Sequence, residues 1–160
     1  TSGVIVFART SKALSRLNEQ FKSREAKKEY WAIVEGNKVP KEQILHHWLV
    51  RDPKQNKSYA HLKEVPNSKV AKLSFRLHHR LERYSCLSIQ LHTGRHHQIR
   101  AQLSNIESPV MGDIKYGAKR PNKDLSICLH SKSLEFIHPV TKKQLKIEAN
   151  FPDLKIWNSL

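Results

Sequence analysis

One stretch of the chain, residues 27–35, restricts the possible folds more than any other. Its apolar residues alternate between the two faces of an extended strand, with Tyr30, Ala32 and Val34 on one face and Trp31 and Ile33 on the other. Apolar side chains on both faces are typical of a central strand in a sheet that is covered on both sides. We therefore expect a layered fold built on a sheet, with this strand near its middle and ending before Gly36.

Strand and helix signals alternate along the rest of the chain. Apolar residues recur at helical spacing in residues 11–23 and again after Gly94, where Pro109 stops the pattern. Further strands are expected at residues 4–8, 43–51, 70–81, 84–92, 125–134 and 144–149, and a short closing helix at 152–157. The three strands from 43 to 92 should form an antiparallel meander. The prediction is one α+β domain over residues 1–160, with a mixed, mostly antiparallel sheet and a few flanking helices.

The charge balance indicates a polyanionic partner. The chain has 29 Lys and Arg against 14 Asp and Glu, a formal net charge of +15. The alternative is a basic and merely well-solvated surface, because net charge alone does not prove nucleic-acid binding. No apolar run approaches the roughly 20 residues that cross a bilayer, so we expect no membrane partner and a cytoplasmic location. Cys86 and Cys128 lack paired spacing and are expected to be buried free thiols.

The turn that follows Gly94 has the composition of an anion site. Two arginines and two histidines fall in the first turns of the expected helix, where backbone donors and the positive helix end also lie. We expect contacts to phosphates or bases from this turn, through Arg95, His96, His97 and Gln98.

Arg100 differs from the other cations of this turn because it adjoins the apolar stripe of the helix. It follows Ile99 and precedes Leu103 by three residues, so we expect its guanidinium to be partly buried. A half-buried guanidinium needs a carboxylate or phosphate partner. The alternative to a ligand is an ion pair within the chain, with Glu82 or Asp113.

The histidines also raise the question of a metal site, since His92 and His96 are four residues apart. However, Gly94 interrupts the helix between them, and neither a cysteine nor a carboxylate stands at ligand spacing nearby. We expect no metal. The sequence also lacks a Walker loop, a dinucleotide fingerprint and a Ser-His-Asp set, so we expect no nucleotide cofactor.

Tyr30 and Trp31 follow two lysines, Lys27 and Lys28. Cations next to aromatic rings suit an RNA base that stacks on a ring, with the lysines on its phosphates. The alternative for both rings is packing in the core, and for Trp31 it is the stronger one.

Five ordered motifs resemble those of RluA-type pseudouridine synthases and cover nearly the whole chain. They are TSGV with a following FA at 1–8, KEYWAIVEG at 28–36, GRHHQIR at 94–100, PVMGDIKYG at 109–117, and LHS with L, F, HP and T at 129–141. The resemblance implies a pseudouridine synthase-like fold, here incomplete, and conversion of uridine to pseudouridine in rRNA or tRNA without metal or organic cofactor. We expect the protein to be a monomer.

The resemblance also assigns roles to three residues. Arg100 matches the arginine that pairs with the catalytic aspartate, and Tyr30 matches the tyrosine that stacks on the target base. Leu129 matches an apolar wall of the pocket, for which core packing is the alternative. Two departures, Gln102 for histidine and Ser108 for glycine, bear on the RNA target more than on the family.

The most serious departure concerns the catalytic aspartate itself. In the family motif HRLDxxTSG it would lie three residues before Thr1, so we expect this chain to be inactive alone. We also expect Arg100 at the floor of a cleft shared with Tyr30, without an Asp or Glu partner from residues 1–160. One alternative function is a non-catalytic RNA-binding module. Another is a phosphate-ester hydrolase using the histidines, which would lack paired carboxylates for metals.

Overall fold

A computed structural model of the chain describes residues 1–158. The elements are β1 (Ser2–Gly3), α1 (Ser11–Ser23), β2 (Lys27–Glu35), β3 (Glu42–Asp52), β4 (Lys57–His61), β5 (Lys69–Arg80), β6 (Tyr84–Leu91), α2 (Gln98–Asn105), a 3₁₀ turn (Ile114–Tyr116), β7 (Leu129–Ile137) and β8 (Gln144–Glu148). The sheet order is β1-β7-β2-β6-β5-β3-β4, with β8 also paired to β7. Among these described strands, only the β1–β7 pair is parallel. The predicted mixed, mostly antiparallel α+β architecture is confirmed.

Strand β2 is central, as predicted, and its bounds agree with the prediction. It pairs with β6 on one side and β7 on the other, and Ala32, Ile33 and Val34 are fully buried. The face that carries Tyr30 and Ala32 lies on the side of α2, whose Ile99 and Leu103 join the main core. The opposite face carries Trp31, which contacts Phe151 of the C-terminal segment.

The predicted antiparallel meander of β3, β5 and β6 is present, but β4 was missed. This short strand forms a hairpin with β3 at the outer edge of the sheet. Its unpaired edge is covered by side chains, since the Ser58 amide donates to the Tyr116 hydroxyl and the Asn105 side chain donates to the Ala60 carbonyl. Edge groups of a sheet that are satisfied in this way are less available for pairing with another chain.

The expected strand at residues 4–8 is wrong in its bounds, because only Ser2–Gly3 pairs with β7. The Val4 amide makes one more bond, to the Ser131 carbonyl, and the chain then leaves the sheet. Gly3 has φ +105, and a Cβ at this position would lie 2.2 Å from the Ser131 carbonyl oxygen. β1 therefore approaches β7 closely enough to require glycine.

Two further predictions differ from the structure near the C-terminus. The strand expected at 125–134 begins at Leu129, since Leu125 adopts a left-handed φ of 58 that ends regular extension. Residues 152–157 form turns and no helix; six residues are too few to offset the cost of helix nucleation by their own hydrogen bonds. Cys86 and Cys128 are buried and free, as predicted. Within residues 1–158, no helix has the length and apolarity required to cross a membrane.

Candidate active site and nucleic-acid interface

The turn into α2 is held by Gln98, which is 3% exposed. Its Oε1 accepts from the Thr93 hydroxyl at 2.8 Å and from the Arg95 amide at 2.9 Å, and its Nε2 donates to the Lys72 carbonyl at 3.1 Å. These bonds fix the strand-to-helix turn. The predicted RNA contact of Gln98 stays a prediction, although its polar atoms are already engaged inside the protein.

Arg95 lies exposed at the start of this turn. Its Nε donates to the Val70 carbonyl at 2.9 Å, which anchors the stem of the side chain. The terminal nitrogens make no other hydrogen bond within residues 1–158, so they are available to an anion from solvent.

Arg100 pairs with Asp113, and the expectation that it would lack a carboxylate partner within the chain is wrong. Arg100 Nε lies 2.6 Å from Asp113 Oδ2, and Arg100 Nη2 lies 2.8 Å from Oδ1, a two-pronged ion pair. Asp113 is 1% exposed, and the Arg100 side chain is 17% exposed. Of the two internal partners considered from the sequence, Asp113 is the one found; Glu82 is exposed and lies near Arg83.

His97 holds a third nitrogen of Arg100. Its Nε2 lies 3.0 Å from Arg100 Nη1 and must accept, because a guanidinium has no acceptor. The ring proton therefore resides on Nδ1, which lies 3.1 Å from the Tyr116 hydroxyl. Burial, followed by the charge of Arg100, lowers the pKa of His97 to about 4, so this imidazole is neutral at pH 7.

His96 links the same site to the β3–β4 hairpin. Its ring stacks on that of His97 with centroids 3.9 Å apart. Its nitrogens lie 2.9 Å from the Ser58 hydroxyl and 3.1 Å from Asn56 Oδ1. His92, the other member of the metal-like pair, lies 3.0 Å from the Ser74 hydroxyl instead. Among residues 1–158, no group of three or more His, Cys, Asp or Glu could hold a metal ion.

Tyr30 is half-buried on β2, opposite Ile89 of β6 and Ser131 of β7. Burial raises the pKa of its phenol, and a hydrogen bond with Ser131 opposes this in part. Trp31 points to the other face, where its ring stacks on that of His78, with centroids 4.2 Å apart, and contacts the Phe151 ring, with centroids 5.0 Å apart. Core packing thus accounts for the placement of the Trp31 ring. It does not account for the whole Tyr30 side chain, which is only half-buried.

A basic cleft of about 800 Å³ lies between α1, the start of β2 and the turn before α2. Six cations line it: Lys22, Arg24, Lys27, Lys28, Arg95 and Lys146. Lys27 is exposed and pairs with Glu135 at 3.6 Å. Lys28 is partly buried, with its Nζ 5.1 Å from the Phe21 ring centroid, and burial lowers its pKa. Lys28 and Tyr30 lie on the same face of β2, two residues apart, but Tyr30 does not line this cleft.

The structure brings some predicted residues together and not others. Lys28 and Arg95 share the basic cleft, whereas the contacts of Arg100 within residues 1–158 are with Asp113, His97 and Tyr116, not with Tyr30. Leu129 is 5% exposed and belongs to the main core cluster, which favours its core-packing alternative.

Sequence reasoning named Asp113 only as one of two alternative partners of Arg100, and it missed Tyr116 as a site residue. Both lie in the PVMGDIKYG motif, which was otherwise used only to identify the resemblance, so the signal was present. Gln102, which departs from the family pattern, is fully buried and lies 3.0 Å from His47 Nδ1, joining α2 to β3.

Comparisons with known proteins give one consistent result. The family model described as RNA pseudouridylate synthase matches residues 1–105. A tRNA pseudouridine synthase C of Haemophilus influenzae is 30% identical over 100% of this chain and 73% of its own length. A ribosomal large subunit pseudouridine synthase D of Xanthomonas campestris is 32% identical over 96% of this chain and 49% of its own length.

Solved structures share the fold. Human RNA Pseudouridylate Synthase Domain Containing 1 superposes with a TM-score of 0.78 at 23% identity, covering 95% of this chain and 65% of that one. The chain thus spans about half to three quarters of the proteins that it matches.

Proposed function

Because the chain belongs to the RNA pseudouridylate synthase family, we propose that it supplies the larger part of the catalytic domain of an enzyme that isomerises uridine to pseudouridine in RNA. In this reaction the bond between N1 and C1′ breaks, a bond between C5 and C1′ forms, the C5 proton leaves, and N1 takes up a proton. The base is rotated between the two steps.

The observation that carries the proposal is that the five family-like motifs meet through direct contacts. Ser2 of the first motif lies 2.9 Å from His130 of the last, and Ser131 pairs with Tyr30 of the second. The fourth motif contacts the second, since the Met111 amide donates to the Ile33 carbonyl at 2.8 Å. It contacts the third through the ion pair between Asp113 and Arg100. Residues up to 128 positions apart in sequence therefore converge on one region, which suits a shared active site.

Within this region we assign roles by the resemblance. Tyr30 is the proposed platform for the target base and a candidate for assisting removal of the C5 proton. Arg100 is proposed to orient the catalytic aspartate, which the family motif puts upstream of Thr1. Leu129 is proposed to support the pocket from within the core, consistent with its burial.

RNA is held, in this proposal, by the basic cleft and the turn before α2. Lys27, Lys28 and Arg95 are the proposed phosphate contacts, with His96, His97 and Gln98 shaping the adjoining turn. Flipping a uridine out of its stack costs a few kcal/mol, which phosphate contacts can offset. We propose rRNA or tRNA as the substrate, a monomer as the active form, no metal or organic cofactor, and the cytoplasm as the location.

The test is release of tritium from RNA labelled at C5 of uridine, with a version of the protein that includes the residues upstream of Thr1. Release above background is expected, and Arg100→Lys should abolish most of it, because an ammonium cannot reproduce a planar two-pronged contact. Arg120→Lys, at an exposed arginine, is the matched control and should retain release. RNA binding without any release would favour the non-catalytic RNA-binding module instead.

A further inference from the structure

The guanidinium of Arg100 is held by three groups of this chain before any substrate is bound. Asp113 occupies the edge formed by Nε and Nη2, and His97 accepts from Nη1. The guanidinium also lies over the Tyr116 ring, with Cζ 4.7 Å from the ring centroid. A guanidinium has five N–H hydrogens, so hydrogens on Nη1 and Nη2 remain for a further acceptor.

The charges of this cluster are balanced within the protein. Asp113 is 1% exposed, and a buried carboxylate is stable only when paired. The pair of Arg100 and Asp113 is neutral overall, and His97 is neutral as well. Arg100 can therefore attract a further anion mainly through directed hydrogen bonds, and much less through an uncompensated positive charge.

Hydrogen bonds within the protein fix the positions of Tyr116 and Asp113 in turn. The Tyr116 hydroxyl accepts from the Ser58 amide of β4 at 2.8 Å, and the Ser104 hydroxyl of α2 donates to the Tyr116 carbonyl at 2.6 Å. The Asp113 amide donates to the Val110 carbonyl at 3.0 Å. The guanidinium is thus set by contacts from β4, α2 and the segment between α2 and β7.

We propose that Asp113, assisted by His97, is a positioning residue that fixes Arg100 in one orientation and neutralises its charge, so that only the Nη1–Nη2 edge is offered to the anion of the active site. The identity of that anion as a catalytic aspartate rests on the proposed function; the fixed orientation of Arg100 does not. Without Asp113, Arg100 would keep its charge but lose its alignment, and it would bind phosphates of RNA without favouring the reaction.

The kinetic test compares Asp113→Asn with Asp124→Asn in the protein that includes the residues upstream of Thr1. Asp124 is an exposed carboxylate whose hydrogen bonds within residues 1–158 go to Ser126, so its substitution removes the same charge elsewhere. Misplacement of an orienting group by about 1 Å can cost roughly 100-fold in rate. We expect Asp113→Asn to lose roughly that factor in single-turnover tritium release, with RNA affinity unchanged or tighter, and Asp124→Asn to stay within about twofold in both.

A release rate for Asp113→Asn close to that of Asp124→Asn would overturn the proposal. So would equal losses of rate and RNA affinity, which indicate a merely structural role.

A second measurement needs neither activity nor a variant. In NMR spectra of the 160-residue chain, the Arg100 Nε–H should be shifted downfield and protected from exchange with solvent, as expected for a short ion pair with a buried carboxylate. If this proton exchanges as fast as those of exposed arginines, the proposed fixation of Arg100 is wrong. If it is protected while the protein including the upstream residues releases no tritium, the fixation stands and the proposed function fails.

Discussion

Replacing Gly3 by alanine should detach β1 from β7, and the structure allows the cost to be worked out. A Cβ on Gly3 would lie 2.2 Å from the oxygen, 2.6 Å from the nitrogen and 2.7 Å from the carbonyl carbon of Ser131. All three are backbone atoms, so no rotation of a side chain relieves the clash. The chain can escape only by moving β1 away from its partner strand.

The loss of stability has two sources. The φ of +105 is strained for any residue with a Cβ, at about 1–3 kcal/mol. Releasing β1 also removes the hydrogen bond from the Val4 amide to Ser131 and the contact between Ser2 and His130, each about 0.5–1.5 kcal/mol. Because moving β1 away relieves part of the backbone strain, we expect less than the sum of these contributions, about 2–4 kcal/mol, a large share of the stability of a typical domain.

Gly36→Ala is the matched control, since Gly36 has φ +92 but no atom lies within 4 Å of the place that a Cβ would take. It should cost only the backbone strain, at the lower end of about 1–3 kcal/mol, because nothing near this Cβ opposes local relaxation of the turn. Urea unfolding measures both losses: with a slope of about 2 kcal/mol/M, the midpoint should drop by about 1–2 M for Gly3→Ala and about 0.5 M for Gly36→Ala. Hydrogen exchange should show the Val4 amide unprotected in Gly3→Ala alone. Equal midpoints for the two variants, with Val4 still protected, would refute the reasoning.

Three further predictions follow from the charges of the site. The pKa of His97 is about 4 in the folded chain and about 6.5 when unfolded, so the unfolded state binds more protons between these two pH values. The free energy of unfolding should therefore fall as the pH drops from about 6.5 to about 4 and then level off, as urea titrations at each pH would show. The fall should be less steep in His97→Gln. RNA affinity should fall by orders of magnitude between about 50 and 200 mM salt, and Arg95→Ala should weaken it, in filter-binding assays; a flat salt dependence would contradict this. Lys28→Gln should lose more affinity than Lys27→Gln, since Lys27 is already paired with Glu135, and the reverse order would argue against the basic cleft.

The elements that could be predicted from the sequence are those with a long apolar pattern, because packing of their apolar faces stabilises them. α1 and β2 have the predicted bounds, because their apolar periodicity extends over 13 and 9 residues. β4 was missed because only five residues form it, and its edge is satisfied by Tyr116 and Asn105, which are distant in sequence. Residues 4–8 have the alternation of a strand, with Ile5 72% and Phe7 77% exposed, but alternation does not supply a partner strand.

The candidate site was predictable in its residue types and less so in its partners. The burial of Arg100 and its need for a carboxylate followed from its place on the helix. The choice of Asp113 did not, because the pairing depends on a turn at Gly112, with φ +85, that directs the following residues back toward α2. The expectation that Arg100 would lack a carboxylate partner within the chain was wrong because it assumed that only the family's catalytic aspartate pairs with this arginine. A guanidinium has two edges, and each can bind a carboxylate.

The pairing of β1 with β7 also has a consequence for the nascent chain. Ser2 reaches His130 across 128 positions of sequence, so β1 leaves the ribosome well before its partner strand β7 has been made. At 5–20 residues per second the delay is roughly 6–26 seconds. Throughout this time Val4 and Val6, which finally pack against α1 and the end of β7, are open to other contacts. β1 is thus expected to dock after the antiparallel strands β3, β5 and β6 have formed through contacts of shorter range.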